Sequence, residues 1–218
     1  MALELDQYPV IGYGVDVPVP TDPDELRLLR KWEVAIGYRI FSAMSWGQLG
    51  DGHITARDPE RPDHFWVLAH GLPFWAATID NLSLVGPDGE VVEGAIAGGI
   101  NYAAYNIHWP ILDARPDLVS AAHTHTAFGT PWSANVKPFQ AISQESCIFV
   151  YDQSIYPGED VEVDTPAGGH AIAAAMGATR LCILRNHGLL PGGASPGAAV
   201  GPFVLAERLA AVHVTRSD

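Results

Sequence analysis

Residues 121–129 read AAHTHTAFG, and residues 181–190 read LCILRNHGLL. Both start as apolar runs of strand character and both end in histidine. In a strand, residues two apart share a face, so His123 and His125 can reach one ion from one side while Thr124 points away. His187 stands where the second run gives way to glycine, a place from which a side chain can project into a cleft. Neutral imidazole suits Zn²⁺, Fe²⁺, Co²⁺ or Mn²⁺, and three protein ligands leave positions open for water or substrate. An H-x-H pair alone is weak evidence, because many such pairs are surface or core histidines.

Outward from these strands, helix and strand alternate. Residues 25–44 repeat apolar side chains at helical spacing, with Thr21 or Asp22 placed to cap them and Pro23 in the first turn. Residues 1–21 read as an extended arm ahead of that helix. GHITARD (52–58), HFWVLAH (64–70), NLSLVG (81–86) and EVVEG (90–94) read as short strands, the last two joined by a turn at 87–89. A helix follows over 101–116, with Pro110 inside it to kink or weaken it, then a buried strand over 118–125. AFGTPWSA (127–134) reads as a short helix or turn and CIFVYDQ (147–153) as a strand. A helix over 168–177 stopped by Gly177, a strand over 179–188 and a last helix over 195–214 complete an α/β pattern mixed with antiparallel hairpins.

Composition narrows the function. A chain of 218 residues, 48% hydrophobic and 17% charged, fits one folded domain with a substantial core. No uninterrupted apolar stretch approaches the roughly 18 residues of a spanning helix. The N-terminus has no basic start and apolar core of a signal peptide, so the cytoplasm is the expected location. Cys147 and Cys182 sit in apolar runs and read as buried free thiols. A formal net charge of −13 argues against nucleic-acid partners and anionic membranes. It also sets an unfavourable field against an anionic substrate, which a bound metal ion would offset locally.

The segments IHWPILDARPDLVSAAHTHTAFG (107–129) and ILRNHGLL (183–190), with GHITARDP, HGLPF and VGPDGEVVEG, resemble the class II aldolase/adducin family. The resemblance runs from about Ala35 to the final helix. It implies a three-layer α/β/α sandwich around a mostly antiparallel sheet, commonly assembled as a homotetramer with sites between subunits. It also implies that His123, His125 and His187 hold a divalent cation, usually Zn²⁺, with Fe²⁺ or Mn²⁺ open on chemical grounds.

The chain departs from the sugar-phosphate aldolases of that family at the catalytic position. Their acid/base glutamate lies four residues before the histidine matching His108, and here that position is Ala104. A methyl group cannot move a proton. The positions that hold phosphate in those enzymes match Gly52-His53, His70-Gly71 and Tyr102-Ala103. Imidazoles, a phenol and a methyl group replace small hydroxyl and amide donors, which suits a carboxylate or an aromatic ring better than a sugar phosphate. Backbone amides at Gly52 and Gly71 can still meet an anion.

His53, His70 and Gly71 are therefore the candidate substrate contacts, and Glu145 and Tyr102 the candidate proton carriers. His108 reads as a packed helix histidine, and Arg185 as a partner for a carboxylate. Most of the six tryptophans read as core or subunit interface, with Phe65, Trp66, Phe74 and Trp75 flanking His70-Gly71. The reading that follows is a metal-dependent lyase breaking a C–C bond in a non-phosphorylated 2-oxo or hydroxy acid, aromatic acids included, by aldol cleavage or decarboxylation. A second reading is a non-haem Fe(II) oxygenase for oxidative decarboxylation of arylpyruvate-type acids, as in a divergent branch of the family that serves aminocoumarin biosynthesis. A third is a non-catalytic adducin-like interaction protein.

Overall fold

A computed structural model describes residues 18–47, 50–94, 98–159 and 162–215. The arm expected over 1–21 lies outside them except for residues 18–21, which are in neither helix nor strand. The first helix, α1 (Pro23–Ala43), starts at Asp22, whose carboxylate accepts the backbone N–H groups of Asp24 and Glu25. Strands β1 (Gly52–Arg57), β2 (Phe65–Leu68), β3 (Leu82–Val85) and β4 (Val91–Gly94) follow, then α2 (Tyr102–Ala114) and β5 (Ser120–Thr124). The remaining elements are α3 (Gly129–Ser133), β6 (Gln153–Tyr156), α4 (Pro166–Met176), β7 (Leu181–Leu184), β8 (Gly188–Gly193) and α5 (Pro196–Thr215). The strands form one eight-stranded sheet in the order β4-β3-β2-β1-β5-β8-β7-β6. All pairings are antiparallel except β6 with β7.

Helices cover both faces of this sheet, because strand side chains alternate between two apolar sets. Ile54, Trp66, Leu84, Ala122, Ile183 and Leu189 pack with Val34 and Phe41 of α1 and Phe203 and Leu209 of α5. Their neighbours Phe65, Val67, Val85, Ala121, Cys182 and Leu190 pack with Ile107 and Ile111 of α2 and Ile172 and Met176 of α4. The result is the α/β/α sandwich that the resemblance implied. By length and composition α5 is apolar enough to cross a membrane, and in the fold its Phe203, Ala206, Leu209 and Ala210 are buried. Asp58 ties α1 to the sheet: its buried carboxylate accepts Arg27 Nε at 2.8 Å and Trp66 Nε1 at 2.9 Å.

Proline inside a helix removes the N–H that would bond the carbonyl four residues back. Pro110 and Pro202 both do so without ending their helices, freeing the carbonyls of Asn106 and Ala198. A glycine abuts each freed oxygen. A Cβ on Gly169 of α4 would lie 1.7 Å from the Asn106 oxygen, and one on Gly193 of β8 would lie 2.5 Å from that of Ala198. The missing hydrogen bond and the missing side chain coincide, and helix and neighbour close to backbone distance.

Two expectations change. CIFVYDQ is not a strand over 147–153: a 3₁₀ turn spans Glu145–Ile148, with Ser146 Oγ bonded to the Ser143 carbonyl, and the strand begins only at Gln153. Cys147 is consequently exposed, whereas Cys182 is buried as expected. The strand β8 covers residues that the sequence pattern leaves unassigned between the strand ending at 188 and the helix starting at 195. It lies between β5 and β7, and Pro191 sits opposite Leu181. Along β5 the paired residues are Ser120 with Gly193, Ala121 with Gly192 and Thr124 with Leu189, so the stretch opposite Pro191, which has no N–H, is skipped.

Candidate metal centre

The cluster is built where β1, β5 and the β7–β8 hairpin meet. His123 lies on β5, directly opposite His53 of β1, and both point to the α2 and α4 side of the sheet. His125 follows just past the end of β5. His187 closes the three-residue turn 185–187, in which Asn186 takes the left-handed conformation at φ 58°. Ring centroids are 4.6 Å apart for His123 and His187, 5.1 Å for His125 and His187, and 5.3 Å for His123 and His125. One nitrogen from each ring falls within 4.8 Å of the other two.

The donor chemistry fits a cation. His123 Nδ1 lies 2.9 Å from the Leu189 carbonyl, so it carries the proton and leaves the Nε2 lone pair free. That Nε2 and Nδ1 of His187 are buried without a hydrogen-bond partner. Burial pushes the pKa of His123 well below the ordinary imidazole range, and the neighbouring rings of His187, His53 and His125 push it further. His187 is pushed down to about 4 by burial and then by His125. Buried, neutral imidazoles with unpartnered lone pairs are what a divalent ion requires.

The cluster lines a cavity of about 270 Å³. His53 also lines it, with Asp51, Asn101 and Ala103 on one side and Glu162 and Val163 on another. No lysine or arginine does so among the described residues. Asp51 stands beside His125, with Oδ2 at 3.6 Å from Nδ1, and its own Oδ1 is buried and unpartnered. Below the cavity, His53 Nδ1 lies 2.8 Å from His108 Nε2, and His108 Nδ1 lies 2.8 Å from Thr55 Oγ1. All three side chains are buried. Both imidazoles are held well below their usual pKa, first by burial and then by neighbouring histidines.

A match to the class II aldolase and adducin N-terminal domain covers residues 33–214. This chain belongs to the class II aldolase/adducin family. It is 33% identical over 209 residues to the decarboxylase NovR of Streptomyces niveus, a match spanning 94% of this chain and 76% of that protein. It is 33% identical over 211 residues to the 4-hydroxy-3-prenylphenylpyruvate oxygenase/4-hydroxy-3-prenylbenzoate synthase of Streptomyces roseochromogenus subsp. oscitans, covering 94% of this chain and 74% of that one. Among solved structures, the L-fuculose 1-phosphate aldolase from Glaciozyma antarctica PI12 superposes with a TM-score of 0.84 at 32% identity, over 92% of this chain and 78% of that one.

Within this class II aldolase fold the candidate residues fall into two groups. His123, His125, His187 and His53 come together at the cavity. His70 is exposed, and with Gly71 it lines a separate small recess that shares Gly52 and Asn101 with the cavity. Tyr102 is 64% exposed at the first turn of α2, where its neighbour Ala103 is the one that lines the cavity. Glu145 is half-buried in its 3₁₀ turn, held by its own backbone and Ser143, and the structure does not bring it to the cavity of this chain. Ala104 is completely buried in the apolar layer under α2. Trp66, Phe65 and Phe74 are core, while Trp75 is 70% exposed. Arg185 meets the carboxylate of Glu159 at 3.2 Å.

The sequence pattern did not single out Asp51 and Glu162, which both line the cavity. It also passed over Glu207. This buried carboxylate on α5 accepts Thr126 Oγ1 at 2.6 Å, Phe128 N at 3.1 Å and Gly129 N at 2.6 Å, and so fixes the turn that follows His125.

Proposed function

We propose that this class II aldolase relative is a divalent-metal-dependent lyase that breaks a C–C bond in a non-phosphorylated 2-oxo or hydroxy carboxylic acid, by decarboxylation or aldol cleavage. The observation that carries this reading is the cluster of three histidines with two buried, unpartnered nitrogens, opening on a cavity that no lysine or arginine lines among the described residues. An ion held by His123, His125 and His187 would supply the positive charge that an anionic substrate needs, and would polarise a carbonyl bound beside it.

The chain's own residues support an acid over a sugar phosphate. A phosphate needs several donors, and the cavity presents imidazole and the side chain of Asn101 in a wall that also carries Asp51 and Glu162. Ala104 leaves the usual acid/base position as a buried methyl group. Decarboxylation requires no base to deprotonate the substrate, which makes it the more economical chemistry here. Similarity to a protein named as a decarboxylase points the same way.

The second reading, an Fe(II) oxygenase acting on an arylpyruvate-type acid, draws on the equal identity to the prenylphenylpyruvate oxygenase. A three-histidine face leaves open positions for a substrate and O₂ alike. Elemental analysis of anaerobically purified protein separates the two. Zinc or manganese with anaerobic turnover of 2-oxo or aromatic acids supports the lyase, and iron with substrate-dependent O₂ uptake supports the oxygenase. Protein that takes up none of these metals sinks both and leaves an adducin-like interaction module. A homotetramer in the cytoplasm belongs to the same proposal.

A further inference from the structure

We infer that the Thr55–His108–His53 chain is ordered in one direction, so that His53 presents an N–H donor to the cavity and binds an oxygen of the substrate without ligating the ion. The ordering begins at the far end. Thr55 is completely buried, and among the described residues its hydroxyl has one hydrogen-bond partner, His108 Nδ1 at 2.8 Å. A buried hydroxyl that only accepts leaves its own proton unsatisfied, which is costly. Thr55 therefore donates, and His108 Nδ1 accepts.

The rest follows from valence. A neutral imidazole carries one proton, so His108 holds it on Nε2 and gives it to His53 Nδ1 across 2.8 Å. His53 then carries its proton on Nε2, the nitrogen left for the cavity it lines. Its lone pair is spent on His108. A ring in that state cannot bind a cation, although its centroid is 5.3 Å from that of His123. It can donate to a carboxylate or carbonyl oxygen. Both rings are enclosed by the protein, and such burial favours the neutral form.

The protein thus has two devices for one anion, the histidine cluster for a cation and His53 for a hydrogen bond beside it. This substrate half rests on the proposed acid-binding function, while the proton order does not. Thr55 and His108 are positioning residues that act through His53.

Long-range ¹H–¹⁵N correlation spectra of metal-free, ¹⁵N-histidine-labelled protein test the order directly. Both His53 and His108 are expected as the Nε2–H form in wild type and in Thr55→Ser. Thr55→Val removes the terminal donor, and His53 is expected to shift to the Nδ1–H form or a mixture. His53 found as Nδ1–H in wild type overturns the proposal.

The second arm measures Zn²⁺ affinity, then oxalate affinity of the Zn²⁺-loaded protein, by calorimetry. His53→Phe is expected to keep Zn²⁺ affinity within about two-fold and to weaken oxalate by about ten-fold, the loss of one hydrogen bond. His53→Gln, which keeps a donor, is expected to recover part of the oxalate binding and guards against a misfolded Phe variant. A large loss of Zn²⁺ affinity in both variants makes His53 a ligand and overturns the proposal. Oxalate that fails to bind Zn²⁺-loaded wild type overturns the acid-binding reading, and the spectra still decide the proton order.

Discussion

Glu207 of α5 accepts the backbone N–H of Gly129 at 2.6 Å, from a residue 78 positions away in sequence. The same carboxylate takes Thr126 Oγ1 and Phe128 N, so three donors of the turn after His125 converge on one buried anion. Glu207→Gln replaces one acceptor oxygen with an NH₂ group that faces an N–H, leaving a donor unpaired at a cost of about 1–3 kcal/mol. Supports of this kind also hold ligands in place, and their loss lowers metal affinity by about 10–100-fold. Thermal unfolding and Zn²⁺ titration of the variant should show both effects. Unchanged affinity with lowered stability would confine Glu207 to a folding role.

Metal binding itself should appear as stability. An ion that binds only the folded chain adds about 2.7 kcal/mol at a concentration of 100 times its Kd. His123→Ala and His187→Ala each remove a nitrogen that is buried and unpartnered, and each should abolish that gain. A wild-type melting temperature that ignores Zn²⁺, Mn²⁺ and Fe²⁺ would sink the assignment.

The metal-free protein should weaken in mild acid. His53, His108 and His123 are neutral because they are buried, and His187 is pushed down to about 4. An unfolded histidine takes up its proton near pH 6.5. Between these values the unfolded chain binds more protons, so the contribution is complete above about pH 6.5 and is lost as pH falls toward 4. His187 alone accounts for about 3 kcal/mol. Denaturant midpoints that stay level from pH 7.5 to pH 5 would contradict this.

The closure of glycine on a freed carbonyl gives a paired test. Gly169→Ala places a methyl group 1.7 Å from the Asn106 oxygen, so α2 and α4 must separate. Forced overpacking of this kind costs about 1–3 kcal/mol or more. Gly201 of α5 has open space around its would-be Cβ, and Gly201→Ala should stabilise by about 0.5–1 kcal/mol through helix propensity. Equal melting temperatures for the two variants would mean that α2 and α4 do not pack as described.

What could be read from the sequence follows from how local the signal is. His123 lies on β5 and His125 just past its end, His187 sits at a hairpin turn, and both signals lie within a few residues. The helices were legible because apolar periodicity and caps such as Asp22 and Gly177 are local too. β8 was not, because Pro191 and its glycines signal a loop, and only a buried place between β5 and β7 overrides them. The strand expected over 147–153 failed for the converse reason: Ile148, Phe149 and Val150 favour strand, but the Ser143–Ser146 hydrogen bonds wind the segment into a turn. Glu162 reaches the cavity, and Glu207 the turn after His125, through tertiary folding alone, whereas Asp51 adjoins Gly52-His53 and was open to a local reading.

Restoring the glutamate should not restore a sugar-phosphate aldolase. Ala104 has no exposed surface and packs in the layer that holds Ile107 and Phe65. A glutamate there must bury its carboxyl among apolar side chains, where the group takes up a proton in preference to carrying charge. The donor positions expected for a phosphate also remain altered, at His53 in the cavity and at His70 and Tyr102 outside it. Ala104→Glu is therefore expected to lower the melting temperature, retain Zn²⁺ binding, and leave L-fuculose 1-phosphate uncleaved. The measurement is retro-aldol activity on that substrate alongside calorimetric Zn²⁺ titration. Cleavage by the variant would show that the helix carries the position into the cavity, and that one methyl group, not the altered donor set, separates this chain from the aldolases it resembles.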